Sequence, residues 1–321
     1  MSLYYQDETI TLHRGDSLEV ARTMAPGSVD CIVTSPPYYG LRDYGNNGQY
    51  GLEATPAEYV ETMRALFSEL RRVLADDGTL WLNIGDSYNA YNGNRGKSSS
   101  GFSRNDPMPE LPKGAGLTVK DLAPKNLLGI PWRVAFALQD DGWILRNSII
   151  WAKTNGMPES VKDRLSNRHE NIFMFTKSQR YYFDLDAIRE PHAEVSLARA
   201  GRKRLTVDKS QEGVGSPHTL DPSSYANSAG KNPGDVWTIG TQPFAGAHFA
   251  VFPPELPRRA IVAGCKPGGT VMDPFSGSGT TGLVAQNNGR KYVGIDLSAD
   301  YLKLSLETRL RNAALDFGGA A

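Results

Sequence analysis

Two short segments carry residue types arranged for chemistry. The first is Thr34-Ser35-Pro36-Pro37-Tyr38, which directly follows the apolar, β-branched run Val29–Val33. The second is Asp273-Pro274-Phe275-Ser276-Gly277-Ser278-Gly279-Thr280-Thr281, set between a strand-like and a helix-like stretch. Glycines at such a turn let the backbone approach a ligand closely and expose the N–H groups that open a helix. An acidic residue, Asp296, follows Asp273 by 23 positions, at the end of the next strand-like stretch. Together these features suit a nucleoside cofactor lying across strand ends, with its ribose hydroxyls on the carboxylate. No Lys follows the glycines, which disfavours a phosphate-binding loop. Gly282 stands at the offset from Gly277 that a dinucleotide loop would use, so on this segment alone a dehydrogenase competes.

The Pro-Pro segment separates these readings. By itself it reads as a turn or a polyproline stretch, but a dehydrogenase has no use for an aromatic held by two prolines at a strand end. The exocyclic amine of a nucleic-acid base is a poor nucleophile, because its lone pair is delocalised into the ring. The Ser35 hydroxyl and the Pro36 carbonyl could accept hydrogen bonds from that amine and draw it towards tetrahedral geometry. Rigid prolines fix both acceptors, and Tyr38 offers a stacking face. Such a pocket presupposes a base flipped out of the duplex. Methylation of a ring carbon would instead need a Cys nucleophile. Cys31 and Cys265 both lie in apolar surroundings and read as buried thiols of a reducing compartment, with no disulfide framework and no metal site.

The two motifs need a sheet to bring them together. Thr9–His13, Val29–Val33, Thr79–Ile84, Thr270–Asp273 and Tyr292–Asp296 read as strands. Ser17–Met24, Pro56–Leu74, Pro131–Leu138, Pro257–Ala263, Thr280–Asn287 and Ser298–Arg311 read as helices. This alternation predicts an α/β fold built on a doubly wound, mostly parallel sheet. Trp143–Ala152 and Asn171–Lys177 read as two more strands, forming an antiparallel pair. Tyr88–Ala115 and Gly201–Asn232 are rich in Asn, Gly, Ser and Pro and read as long loops.

Lys plus Arg and Asp plus Glu number 35 each, so net charge advertises no polyanion. Locally, residues 142–210 hold thirteen Lys or Arg against eight Asp or Glu, an excess of five, densest at Arg199, Arg202, Lys203 and Arg204. That run reads either as a solvated loop or as a phosphate-contacting stripe. No stretch approaches the roughly 20 apolar residues of a membrane span, and no signal peptide is expected. A cytoplasmic protein is the expectation.

The two motifs together resemble the amino-methyltransferases of DNA, in the permuted beta group where Ser-Pro-Pro-Tyr precedes the cofactor loop. The resemblance covers nearly the whole chain. It implies transfer of a methyl group from S-adenosyl-L-methionine to an exocyclic amine in double-stranded DNA. It also implies a seven-stranded sheet whose first strand is Thr270–Asp273 and whose third is Thr9–His13. By this resemblance Ser35, Pro36, Pro37 and Tyr38 form the catalytic segment. Asp273, Phe275, Gly277 and Gly279 hold the methionine end of the cofactor, Asp296 its ribose, and Asp16 faces its adenine amine. Thr34, Ser276, Ser278 and Thr280 belong to the same cofactor site, with Phe252 as a pocket wall. His169-Glu170-Asn171-Ile172 is similar to a late strand of the family, with individual roles open. Residues 186–237, with the basic cluster as DNA contacts, correspond to a target-recognition insertion between catalytic parts 1–185 and 238–321. Members with Asp or Asn before the prolines mostly modify adenine N6, and those with Ser mostly modify cytosine N4. Ser35 therefore implies cytosine N4, with adenine N6 as the alternative. A companion restriction endonuclease and a homodimer are further expectations.

Overall fold

The computed structural model describes residues 2–46, 48–89, 119, 122–156, 158–193, 227, 229–242 and 252–311. Its main unit comprises residues 1–183 and 235–321, and residues 184–234 gather into a second. Among the described residues nine strands form one sheet: β1 (Ser2–Gln6), β2 (Ile10–Arg14), β3 (Val29–Thr34), β4 (Leu74–Ile84), β5 (Ile144–Ala152), β6 (His169–Thr176), β7 (Val236–Thr238), β8 (Thr270–Asp273) and β9 (Lys291–Asp296). Their spatial order is β1-β2-β9-β8-β3-β4-β6-β5-β7. From β2 to β4 every neighbouring pair is parallel, and β6 runs antiparallel to both β4 and β5. Counting from β8 as first and β9 as second, β2 is third, as the resemblance implied.

The central strands read as unbroken apolar runs because helices cover both faces of a parallel sheet. In β3, Val29, Cys31, Ile32, Val33 and Thr34 are all buried. Among the described residues six α-helices accompany the sheet: α1 (Ser17–Thr23), α2 (Pro56–Val73), α3 (Ile130–Asp140), α4 (Glu255–Gly264), α5 (Thr280–Asn287) and α6 (Ala299–Ser305). In α2, Thr55 caps the Glu58 N–H while the Glu58 carboxylate returns to the Ala54 N–H, a reciprocal arrangement that satisfies otherwise orphaned donors. Its apolar stripe of Tyr59, Met63, Leu66, Phe67, Leu70 and Val73 is buried.

The fold class is as expected, but the strand count is nine rather than seven. The additional strands, β1 and β7, are the two sheet edges, and β7 has only three residues. Edge strands are half-exposed and short, so neither carries the apolar run that marks a buried strand. The final helix is also not continuous: after α6 the chain widens into a π turn at Leu306–Leu310. Strand β6 begins at His169 rather than at the expected Asn171, so Glu170 lies within it. Both Cys31 and Cys265 are buried, and burial pushes both thiols up, Cys265 to about 12.

The second unit contains a single 3₁₀ turn, Asp186–Ile188, and a bridge between Glu190 and Lys231, among its described residues. Arg199, Arg202, Lys203 and Arg204 lie outside the described residues. Among the described residues, no helix is long and apolar enough to cross a membrane.

Candidate active site

In this sheet β8 has β9 on one side and β3 on the other, and the succession of strands departs in opposite directions from that pair. Ligands of doubly wound folds bind outside the carboxyl ends of the strands at such a switch point. Both motifs sit there. The Thr34 hydroxyl, at the end of β3, donates to Asp273 Oδ1 at 2.7 Å. The Thr281 hydroxyl donates to Asp273 Oδ2 at 2.8 Å, and the Phe275 N–H donates to Oδ1 at 3.0 Å. Asp273 is buried, and burial pushes its carboxyl up to about 6 against the pull of those bonds.

The glycine turn is tied to its neighbours in the same way. Gly277 has φ 50°, and its N–H donates to Asp296 Oδ2 at 2.9 Å. Asp296 Oδ1 accepts the Ser298 N–H at 2.8 Å. Burial pushes Asp296 up to about 6 as well. Ser276 shares a 2.8 Å hydrogen bond with the Tyr292 hydroxyl, inside β9. Gly279 caps α5 in the left-handed region, where a Cβ would meet Ser305 Cβ at 2.8 Å. Gly282 faces Tyr292 and Leu310, with a Cβ on it 2.6 Å from the Tyr292 ring. This close helix–strand packing accounts for the third glycine without a dinucleotide. The π turn places Arg309 against the hydroxyls of Ser278, at 3.0 Å, and Thr280.

Asp16 follows β2 at the same edge of the sheet and caps α1, accepting the Glu19 N–H at 3.0 Å. Burial first, then the nearby Asp16 charge, pushes the Tyr50 phenol above its ordinary value. The Tyr50 ring meets Phe275 edge-on at 5.2 Å. Phe252 is half-buried ahead of α4. Carboxylates at three adjacent strand ends, a glycine turn with two glycines in the left-handed region, and the Phe275 ring together fit a cofactor with ribose, base and amino-acid parts.

Ser35–Tyr38 leaves β3 under tight restraint. The Tyr59 hydroxyl of α2 donates to the Pro37 carbonyl at 2.9 Å. Pro36 is buried, and no donor among the described residues reaches its carbonyl. The Ser35 hydroxyl donates to the Tyr38 oxygen at 3.3 Å. Tyr38 in turn donates to Glu170 Oε2 at 2.6 Å, with Asn83 Oδ1 a further 3.3 Å neighbour. Its ring lies over Gly85, where a Cβ would sit 2.5 Å from the ring. Glu170 is held by the Asn83 amide at 3.1 Å and by the Lys153 ammonium. Burial first, then the Glu170 charge, pushes the Tyr38 phenol well above its ordinary value.

Asn83, Lys153, Glu170, Tyr50 and Arg309 are site residues that the two motifs did not reveal. Asn83 and Arg309 lay in stretches read only as a strand and a helix, and Glu170 in one whose individual roles were open. Among the described residues, no cluster of three or more His, Cys, Asp or Glu could hold a metal ion.

Comparison with known proteins agrees with this geometry. The DNA methylase family pattern matches residues 29–307. The chain is 48% identical over 301 residues to the Type II methyltransferase M.XycI of Xanthomonas campestris pv. cyanopsidis, covering 92% of this chain and 86% of that one. It is 43% identical to the Type II methyltransferase M.SmaI of Serratia marcescens, covering 92% and 89%. Among solved structures, the cytosine-N4-specific PvuII DNA methyltransferase superposes with a TM-score of 0.64 at 20% identity, covering 99% of this chain and 90% of that one. A DNA modification methylase from Thermus thermophilus, complexed with S-adenosyl-L-methionine, has a TM-score of 0.56 at 21% identity, covering 96% and 95%. The chain therefore belongs to the DNA methylase family and is a Type II DNA methyltransferase whose methyl donor is S-adenosyl-L-methionine.

Proposed function

We propose that the base modified is a cytosine flipped out of duplex DNA, and that the methyl group goes to its N4. The observation that carries this reading is the state of Ser35. Its hydroxyl donates to Tyr38, which leaves its oxygen able to accept, beside a Pro36 carbonyl that has no donor among the described residues. Two acceptors on a rigid turn suit the two hydrogens of an exocyclic amine, and the short Ser side chain suits the smaller pyrimidine. The cytosine-N4 specificity of the PvuII enzyme, which shares this fold, supports the choice. Adenine N6 is the competing target.

S-adenosyl-L-methionine supplies an electrophilic methyl group. Around it, Asp296 would hold the ribose hydroxyls, Asp16 the adenine amine, and Phe252 a wall of the pocket. Asp273 has both oxygens engaged by Thr34, Thr281 and Phe275. Its contribution at the methionine end would be to fix the backbone of Phe275–Gly279 next to Ser276, Ser278 and Thr280. Residues 186–237 would read the DNA sequence, with Arg199, Arg202, Lys203 and Arg204 on phosphates. A companion endonuclease fits the Type II relatives. Modification-sensitive sequencing of genomic DNA from cells expressing the chain tests the reading: methylcytosine at N4 in one short sequence context supports it, and methyladenine alone contradicts it.

A further inference from the structure

The amine that receives a methyl group must afterwards lose a proton, and the Ser35 side of the pocket is connected to a carboxylate that could receive it. Ser35 donates to Tyr38 and Tyr38 to Glu170, at 3.3 Å and 2.6 Å. The direction of this chain is fixed by Asn83. Its Nδ2 donates both to Glu170 Oε2 and to the Asn171 carbonyl, so its Oδ1 must face Tyr38 and cannot donate there. Glu170 is the one carboxylate bonded to Ser35 or Tyr38 among the described residues. It is 15% exposed, and the Lys153 ammonium against its other oxygen is 22% exposed. Lys153 is itself held over the Trp151 ring at 4.7 Å.

We propose that Glu170 is the terminus of a proton path that drains the methylated amine through Ser35 and Tyr38. The inference rests on amine methylation at Ser35 as read above. As the N–C bond forms and the C–S bond breaks, the positive charge passes from sulfur to the amine nitrogen. That nitrogen releases a proton to Ser35 Oγ, the Ser35 proton moves to the Tyr38 oxygen, and the Tyr38 proton moves to Glu170 Oε2. The sulfonium charge and the Glu170 charge thus disappear together, and the Lys153 charge is unchanged, so the net charge of the three is the same before and after transfer. Glu170 later returns its proton to solvent. Because Tyr38 holds its own proton tightly at rest, it passes one proton on only as it takes another, and no phenolate stands. Glu170 is bonded to Tyr38, Asn83 and Lys153, and in this path it acts on the amine only through Tyr38, so it is a positioning residue.

The test is single-turnover methyl transfer to unmethylated genomic DNA, with cofactor affinity, DNA affinity and thermal unfolding measured alongside. Glu170→Gln keeps an acceptor for Tyr38 but removes the base. It should slow transfer by roughly 10²-fold, the scale of a lost proton acceptor, while both affinities stay at wild-type values; the melting midpoint falls, because Lys153 loses its partner, with unfolding still a single transition. Tyr38→Phe should cost a similar factor. The double variant should be no slower than the slower single variant, because both interrupt one path. Glu170→Asp should recover part of the rate that Gln does not. Wild-type rates in Glu170→Gln, or losses that multiply in the double variant, would make Glu170 a mere brace and overturn the proposal. Absence of any transfer to DNA by the wild type would overturn the methylation reading itself, and this inference with it.

Discussion

Thr34 and Asp273 are 239 residues apart in the chain, yet the hydroxyl of one lies 2.7 Å from the carboxylate of the other. This bond ties together two adjacent strand ends. In the proposed reading one end carries the reacting base and the other the methyl donor, and misplacement of reacting groups by about 1 Å can cost on the order of 10²-fold in rate.

Thr34→Val keeps the shape of the side chain but leaves one buried Asp273 oxygen short of a donor. The expected loss is about 1–3 kcal/mol of stability by urea denaturation, together with slower methyl transfer. Thr34→Ser should restore both. Full stability in the Val variant would show that the bond contributes nothing.

Ser35 and Asp296 should separate chemistry from binding. Ser35→Ala should lower turnover severely with cofactor affinity near wild type. Asp296→Ala should weaken cofactor binding by ~1.5–3 kcal/mol through lost charge-assisted hydrogen bonds. Isothermal titration with the cofactor, beside steady-state rates, checks the division, and equal loss of affinity in both variants refutes it.

The buried carboxylates predict opposite pH trends for stability and for cofactor affinity. Asp273 and Asp296 are pushed up to about 6, chiefly by burial, whereas an unfolded Asp titrates near about 3.9. The folded chain therefore binds more protons across this interval. The stability these groups contribute is fully present below the unfolded value and is lost as pH rises through about 6. Cofactor affinity should move the other way, because a ribose hydroxyl needs the ionised Asp296. Denaturation midpoints and cofactor titrations at intervals from about pH 5 to about pH 7.5 test both trends. Asp296→Asn should flatten the affinity trend and reduce the stability trend to the part that Asp273 contributes, and unaltered slopes in that variant would contradict the assignment.

Gly282→Ala would put a Cβ 2.6 Å from the Tyr292 ring and 2.7 Å from Leu310. Overpacking of this kind costs about 1–3 kcal/mol, so a lower melting temperature is expected. An unchanged melting temperature would mean that α5 can move away from β9 freely.

The central strands and both motifs were legible in the sequence because parallel strands buried on two faces leave continuous apolar runs, and turns such as Ser276–Gly279 need particular residues. What stayed hidden was fixed by non-local pairing. Glu170 reaches Tyr38 only because β6 lies antiparallel beside β4, with Asn171 opposite Ile84. Tyr50 meets Asp16 and Phe275 from a loop with no periodicity to announce it. The widening at Leu306–Leu310, which turns Arg309 towards Ser278, is invisible in a pattern that fits an ordinary helix equally well.

The central claim is tested most directly by incubating unmethylated DNA with the protein and S-adenosyl-L-methionine carrying a deuterated methyl group. The DNA is then digested to nucleosides, which are separated by mass. The expected product is deoxycytidine bearing the deuterated methyl group on N4, absent when Ser35→Ala replaces the wild type. A deuterated methyl group found only on N6 of deoxyadenosine would contradict the assignment of the target base.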